Sequence, residues 1–159
     1  MIKIAPSLLA ADMGDLRAQV QKVEDAGVDY LHLDVMDGTF VPNISYGPAV
    51  IKALRPNSKL FFDVHLMVQE PGRYLEEFVK AGADLLCVHA EACVHLHRTV
   101  QQIKALGVKV AAAFYPATAL FHQAELFPGS VLAPSMSGFF GLGVDCFFFG
   151  MLDTFNTFG

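Results

Sequence analysis

One joint is used twice in this chain, and it limits the folds open to it: Ala-Gly-Val-Asp at residues 26–29 and Ala-Gly-Ala-Asp at 81–84. In each, an amphipathic stretch stops at a glycine and an apolar run begins within two residues, so a helix returns directly to a strand. Ahead of the first joint, Leu16, Val20 and Val23 recur at helical spacing after Asp12, a suitable N-cap, and Gly27 stands at the C′ position. Ahead of the second, Pro71 suits a first helical turn, Leu75, Phe78 and Val79 make an apolar stripe, and Gly82 closes it. Leu96, Val100, Ile103 and Leu106 repeat the pattern before Gly107.

Short apolar segments begin near Ile2, Asp29, Lys59, Asp84 and Val108, and helical patterning follows each of the first four. Alternation of this kind is that of repeated βα units around a parallel sheet, an α/β fold. The hydrophobic content of 53% against 17% charged residues agrees, since parallel strands are buried on both faces. At 159 residues the chain is read as a single domain over 1–159.

Residues 29–38 and 61–67 each read as a strand that ends in polar groups. Residues two apart share a face, so His32 points with Asp34, and Asp63 with His65. On neighbouring strands, His32, Asp34 and His65 make a nitrogen and oxygen ligand set suited to zinc, iron, cobalt or manganese. A lone histidine of this kind is usually a hydrogen-bonded structural residue. Three such groups at the carboxyl ends of two successive strands instead sit where parallel α/β folds place their chemistry.

The helix between those strands, about residues 48–54, is short and follows a long loop, 38–47. That loop carries Phe40, Val41, Pro42 and Asn43, which either cover a site above His32 and Asp34 or tuck the loop against the rim. A net charge of −5 without a basic stripe gives no reason to expect nucleic acid or an anionic membrane. No apolar run reaches the roughly 20 residues of a membrane span, and the first residues lack signal-peptide regions, so a cytoplasmic location is expected. Cys87, Cys93 and Cys146 have no paired metal-type spacing and read as reduced thiols, with Cys93 near His95 a weak hint of a nucleophile. His95 and His97, beside a helix start, read as solvated, while His89 at a strand end is a group that could face the site. Periodicity weakens after Tyr115: a helix over 116–126 and a short strand over 130–133 fit the pattern. Residues 137–159 form an atypical Phe/Gly-rich tail.

The quoted blocks resemble those of the ribulose-phosphate 3-epimerase family, a (β/α)8 TIM barrel of the ribulose-phosphate-binding group. The resemblance is carried by Ile-Ala-Pro-Ser-Leu-Leu-Ala-Ala-Asp (4–12), Leu-His-Leu-Asp-Val-Met-Asp-Gly-Thr-Phe-Val-Pro-Asn (31–43), Asp-Val-His-Leu-Met-Val (63–68), Ala-Gly-Ala-Asp (81–84) and Val-His-Ala-Glu (88–91). It runs to about Thr118. It implies His32, Asp34 and His65 as ligands of one divalent metal ion, Asp34 as one catalytic acid/base, Ser7 and His65 in contact with substrate, and Met36 and Met67 lining the reaction plane. Strand-end methionines are otherwise gap-fillers.

The implied reaction is epimerisation at C3 of a ketopentose phosphate, ribulose 5-phosphate to xylulose 5-phosphate, through an enediolate. A hexulose 6-phosphate 3-epimerase would share the same blocks. Decarboxylase and synthase relatives in the same barrel group carry Asp-x-Lys-x-x-Asp on the third strand, where this chain has Asp63-Val64-His65-Leu66-Met67. The family's second acid, in a Val-Asp-Gly-Gly stretch, and its Asn-Pro-Gly-Phe-Gly-Gly phosphate loop are not matched; Val144-Asp145-Cys146 and Met136-Ser137-Gly138-Phe139-Phe140-Gly141 preserve only fragments. The expectation is an incomplete barrel of about five to six βα units, against about 250 residues for a typical one, that pairs with another copy or packs its tail across the gap. A catalytically incomplete chain that binds metal or a partner without turnover is the alternative.

Overall fold

The computed structural model describes residues 3–115. Four parallel strands, β1 (Tyr30–Met36), β2 (Phe61–Met67), β3 (Leu85–His89) and β4 (Lys109–Ala113), lie in sequence order. Helices α1 (Leu16–Asp25), α2 (Pro48–Leu54), α3 (Leu75–Ala81) and α4 (Leu96–Ala105) alternate with them. This is the parallel βα architecture that the repeated joint implies, a partial (β/α) barrel. The helix over 116–126, the strand over 130–133, the Phe/Gly-rich tail, Cys146, His122 and the fragments at 136–141 and 144–146 all lie outside the described residues.

Both joints are built alike. Gly27 and Gly82 take φ of 76° and 106°, a region closed to most side chains, and so end α1 and α3. Each joint aspartate then exchanges two bonds with the start of the preceding strand segment. Asp29 N–H donates to Ile4 O at 3.1 Å while its carboxylate accepts from Ile4 N–H at 3.0 Å; Asp84 N–H donates to Phe62 O at 3.0 Å while its carboxylate accepts from Phe62 N–H at 2.7 Å. The Ile4 N–H and the Lys3 ammonium hold the Asp29 carboxyl below its ordinary value.

The segment expected as a strand from Ile2 lies beside β1 but forms only an isolated bridge, Ser7 to His32. Pro6 explains the difference: its carbonyl accepts from His32 N–H at 2.9 Å, but it has no N–H to return. Two helix starts also differ from expectation. Asp15, not Asp12, precedes α1, because Asp12 accepts from Gly14 N–H at 2.9 Å in a turn of its own. Pro71 opens a separate 3-10 turn, Pro71–Arg73, and α3 begins only at Leu75.

Strict alternation divides the sheet into unlike faces. Leu31, Leu33, Val35, Phe62, Val64, Leu66, Leu86 and Val88 face the helices and form the main core. Among the described residues the opposite face holds a small apolar cluster, Leu85, Cys87, Ala111 and Ala113 with Phe61 against it. Its remaining positions on β1 to β3 carry Tyr30, His32, Asp34, Met36, Asp63, His65, Met67 and His89, whose polar members are the candidates for chemistry.

Candidate metal centre

Register brings the polar groups together. β1 and β2 pair His32 with Asp63, Asp34 with His65 and Met36 with Met67, so two histidines and two carboxylates alternate corner to corner on one face. His32 Nε2 lies 3.0 Å and His65 Nδ1 3.1 Å from the same oxygen of Asp34, Oδ1. One ligand atom from each of the three residues lies within 4.8 Å of the others, and all three side chains are buried. The expected trio therefore converges.

The other atoms of these groups are fixed from behind. His32 Nδ1 meets Asp63 Oδ2 at 2.9 Å, and Asp34 Oδ2 accepts from the Ser7 hydroxyl at 2.5 Å. His65 Nε2 lies 2.9 Å from His89 Nε2. Ser45 ties the following loop to β1, its hydroxyl donating to Asp34 O at 2.7 Å and accepting from Met36 N–H at 3.0 Å. Met36 and Met67 end their strands side by side, two residues beyond Asp34 and His65 on the same face.

Electrostatics follow from this packing. Burial disfavours charge on His32, but Asp34 and then Asp63 outweigh it and push its pKa up to about 10. Burial also works against the Asp34 carboxylate, yet His32 and His65 hold it well below the usual carboxylate range. Burial first, then His65, brings His89 down to about 4, with Glu91 opposing. Burial and the nearby Asp34 charge raise Tyr46.

The residues suit a divalent cation. Around a tetrahedral ion with bonds of about 2.1 Å, neighbouring ligand atoms lie roughly 3.4 Å apart, so the 3.0 and 3.1 Å separations would open slightly while the trio, whose ligand atoms lie within 4.8 Å of one another, would draw in at its widest. A carboxylate behind a ligating imidazole is the usual support for such a site, and Asp63 stands there for His32. Asp63 Oδ1 and the Tyr46 hydroxyl are buried with no hydrogen-bond partner among the described residues, leaving polar capacity beside the cluster.

A family model described as the ribulose-phosphate 3 epimerase family matches residues 3–153. The chain belongs to that family. Among curated proteins, it is 56% identical over 118 residues to the ribulose-phosphate 3-epimerase of Bacillus subtilis, covering 74% of this chain and 54% of that protein. It is 51% identical over 121 residues to the corresponding Synechocystis protein, covering 75% and 53%, and 52% identical over 121 residues to the chloroplastic ribulose-5-phosphate-3-epimerase of Arabidopsis thaliana, covering 75% and 43%. The chain thus spans about half the length of the curated relatives it matches. The family match also runs past Thr118, the limit of the resemblance read from the sequence blocks.

Several residues of the site had no role assigned from sequence. Asp63 was placed on the right face, but its contact with His32 depends on register. His89 ends β3 and Glu91 lies in the turn that follows it; the sequence signals for them are a histidine at a strand end that could face the site and the Val-His-Ala-Glu block, neither of which gives their contacts. Asp37 organises both neighbouring loops: Oδ1 accepts from Thr39 N–H at 2.8 Å and Phe40 N–H at 2.9 Å, and Oδ2 from Gln69 N–H at 2.7 Å. Burial opposes its charge, but these N–H groups lower its pKa. Phe40, in the loop expected either to cover the site or to pack on the rim, rests on the His89 ring with centroids 5.0 Å apart. Burial raises the pKa of Cys93, the opposite of what activates a thiol as a nucleophile. His95 and His97 are exposed, as expected. Among the described residues no helix is long and apolar enough to cross a membrane.

Proposed function

We propose that the chain acts as a divalent-metal-dependent 3-epimerase of a ketopentose phosphate, interconverting ribulose 5-phosphate and xylulose 5-phosphate. The observation that supports this most is the convergence of His32 Nε2 and His65 Nδ1 on Asp34 Oδ1, at the carboxyl ends of adjacent parallel strands in a chain of the epimerase family. His32, Asp34 and His65 would hold the ion, which is zinc, iron, manganese or cobalt by the nature of its ligands. Such an ion, when bound, supplies Lewis-acid stabilisation of negative charge on the substrate oxygens.

The described residues carry the removal of the proton; inversion also needs a second acid to return one to the opposite face of C3, and none of the described residues is assigned that role. Asp34 takes the proton from C3 on one face of the sugar, and its bond from Ser7 orients the carboxylate while leaving the hydroxyl close enough to meet substrate. Asp63 keeps the His32 ring turned so that Nε2 faces the centre. Met36 and Met67 give the reaction plane an apolar, polarizable wall, which keeps water from the carbanionic carbon.

One observation favours a second reading, a chain that binds metal or a partner without turnover: the family's second-acid and phosphate-loop blocks are matched only by the fragments at 144–146 and 136–141. Two measurements on the full chain separate the readings. Metal content, with and without His65→Ala, tests the centre; a coupled assay for xylulose 5-phosphate with added divalent metal tests turnover. Stoichiometric metal lost in the variant, together with turnover, is expected. Metal without turnover establishes the second reading, and absence of both defeats the epimerase and the metal-binding form of the second reading.

A further inference from the structure

We propose that His89, backed by Glu91, is a positioning residue: it holds His65 in the tautomer that presents a bare Nδ1 to the centre. This rests on the reading of His32, Asp34 and His65 as a metal centre. A neutral imidazole has one N–H and one lone pair. For Nδ1 to bind a cation, the His65 proton must sit on Nε2, and a buried N–H needs an acceptor.

The atom 2.9 Å from His65 Nε2 is His89 Nε2. Only one proton fits between two nitrogens at that separation, so two arrangements compete. In one, His89 donates, His65 Nε2 accepts, and His65 Nδ1 carries a proton aimed at Asp34 Oδ1, 3.1 Å away, which blocks ligation. In the other, His65 donates and His89 accepts, which puts the His89 proton on Nδ1. That nitrogen faces the Glu91 carboxylate, with Oε2 at 3.6 Å. A negative charge on that side favours a proton there, and so favours the ligating arrangement.

The surroundings keep this row of groups in place. Glu91 Oε1 accepts from Tyr115 N–H at 2.8 Å, just past the end of β4. The rings of Phe40 and Tyr115 lie 5.0 and 5.2 Å from that of His89, and His89 and His65 are themselves stacked at 5.0 Å. Both histidines are almost wholly buried. At this burial, His89 rather than bulk water is placed to accept from His65 Nε2. β3 and the start of its following turn thus reach the centre on β1 and β2 without contributing a ligand.

The test uses the full chain stripped of metal and titrated with Co2+ followed by its visible absorption. His89→Phe keeps an aromatic ring but offers no acceptor, whereas His89→Gln places an amide where Nε2 stood. Loss of a second-sphere partner costs roughly 10- to 100-fold in metal affinity, so that loss is expected in His89→Phe with an altered cobalt spectrum. In His89→Gln, affinity should recover to within a few-fold of wild type. Glu91→Gln, a milder change at a partly exposed side chain, should fall between them, and it serves if His89→Phe does not fold. Proton–nitrogen spectra of the Zn2+-loaded wild type should place the His65 proton on Nε2. Wild-type affinity and spectrum in both His89→Phe and Glu91→Gln overturns the positioning role while leaving the metal centre intact, whereas a His65 proton on Nδ1 overturns the role together with His65 as an Nδ1 ligand. A wild-type chain that takes up neither ion overturns the metal centre and this role with it.

Discussion

The two ends of the sheet carry polar networks of similar size but opposite character. At the amino ends of the strands, Arg55 donates to Ser58 O at 2.6 Å, Leu60 O at 2.8 Å and Asp84 Oδ2 at 2.9 Å, and its guanidinium lies 3.8 Å from the Phe62 ring centroid. Nearby, Glu24 accepts from the Ser58 hydroxyl at 2.7 Å and from Lys59 N–H at 3.1 Å. The acceptors around Arg55 are backbone carbonyls and a carboxylate, and a guanidinium can only donate, so donor and acceptor roles around it are fixed. At the carboxyl ends, imidazoles replace the guanidinium, each able to donate or accept, around a carboxylate contacted by both. One network fastens the fold; the other leaves protons and lone pairs free to be redistributed, as binding and catalysis require.

That contrast is broken most severely by Asp34→Asn. Loss of a positioned acid/base costs on the order of 10²- to 10⁴-fold in rate, and the amide also weakens the ligand set. The coupled assay should record that loss while denaturant unfolding stays close to wild type. Arg55→Ala should do the reverse. Removing charge-assisted bonds to carbonyls that are only partly reachable by water should cost about 2–3 kcal/mol in urea unfolding, with metal affinity unchanged. If Asp34→Asn unfolds the chain or Arg55→Ala abolishes metal binding, the division of labour between the ends is wrong.

A smaller effect sharpens the carboxyl end alone. Asp63→Asn keeps a hydrogen-bonding group beside His32 Nδ1 but removes its charge, so metal affinity should drop by roughly 10- to 100-fold as the ring loses its preferred orientation. Titration with Co2+ reads it directly. A wild-type value would mean that packing alone orients His32.

How far each end was legible in sequence follows from the range of the interactions. Helix and strand periodicity, the twice-used joint and the terminal glycines are local, and α1 to α4 and β1 to β4 appear where those patterns stand. His32, Asp34 and His65 were also accessible, because alternation along two strands puts them on one face before any contact is known. Asp63 as the support of His32, and His89 as the neighbour of His65, depend on the stagger of β1, β2 and β3, which no local pattern carries. Ser7 was reached through family resemblance alone: its bond to Asp34 spans 27 residues. The Asp12 and Asp15 exchange shows the same limit at short range, since both are good caps and the choice lies in the turn that Asp12 makes with Gly14.

The finest test lies at the amino end, where Gly82 sits against Arg55. A Cβ at Gly82 would come within 2.5 Å of both Arg55 Cγ and Cδ, and the backbone there has φ of 106°. Gly82→Ala therefore combines two costs, one from a conformation that disfavours any side chain and one from overlap with a side chain anchored at its head. The first persists whatever stands at position 55. The second disappears when Arg55 is shortened to alanine, leaving only its Cβ at 3.2 Å. In a double-mutant cycle followed by urea unfolding, Gly82→Ala should therefore be less damaging in the Arg55→Ala background than in wild type, by about 1 kcal/mol. Strict additivity would mean that the aliphatic stem of Arg55 can move aside without giving up its carbonyl partners, and the amino end would then be a looser clasp than its short hydrogen bonds suggest.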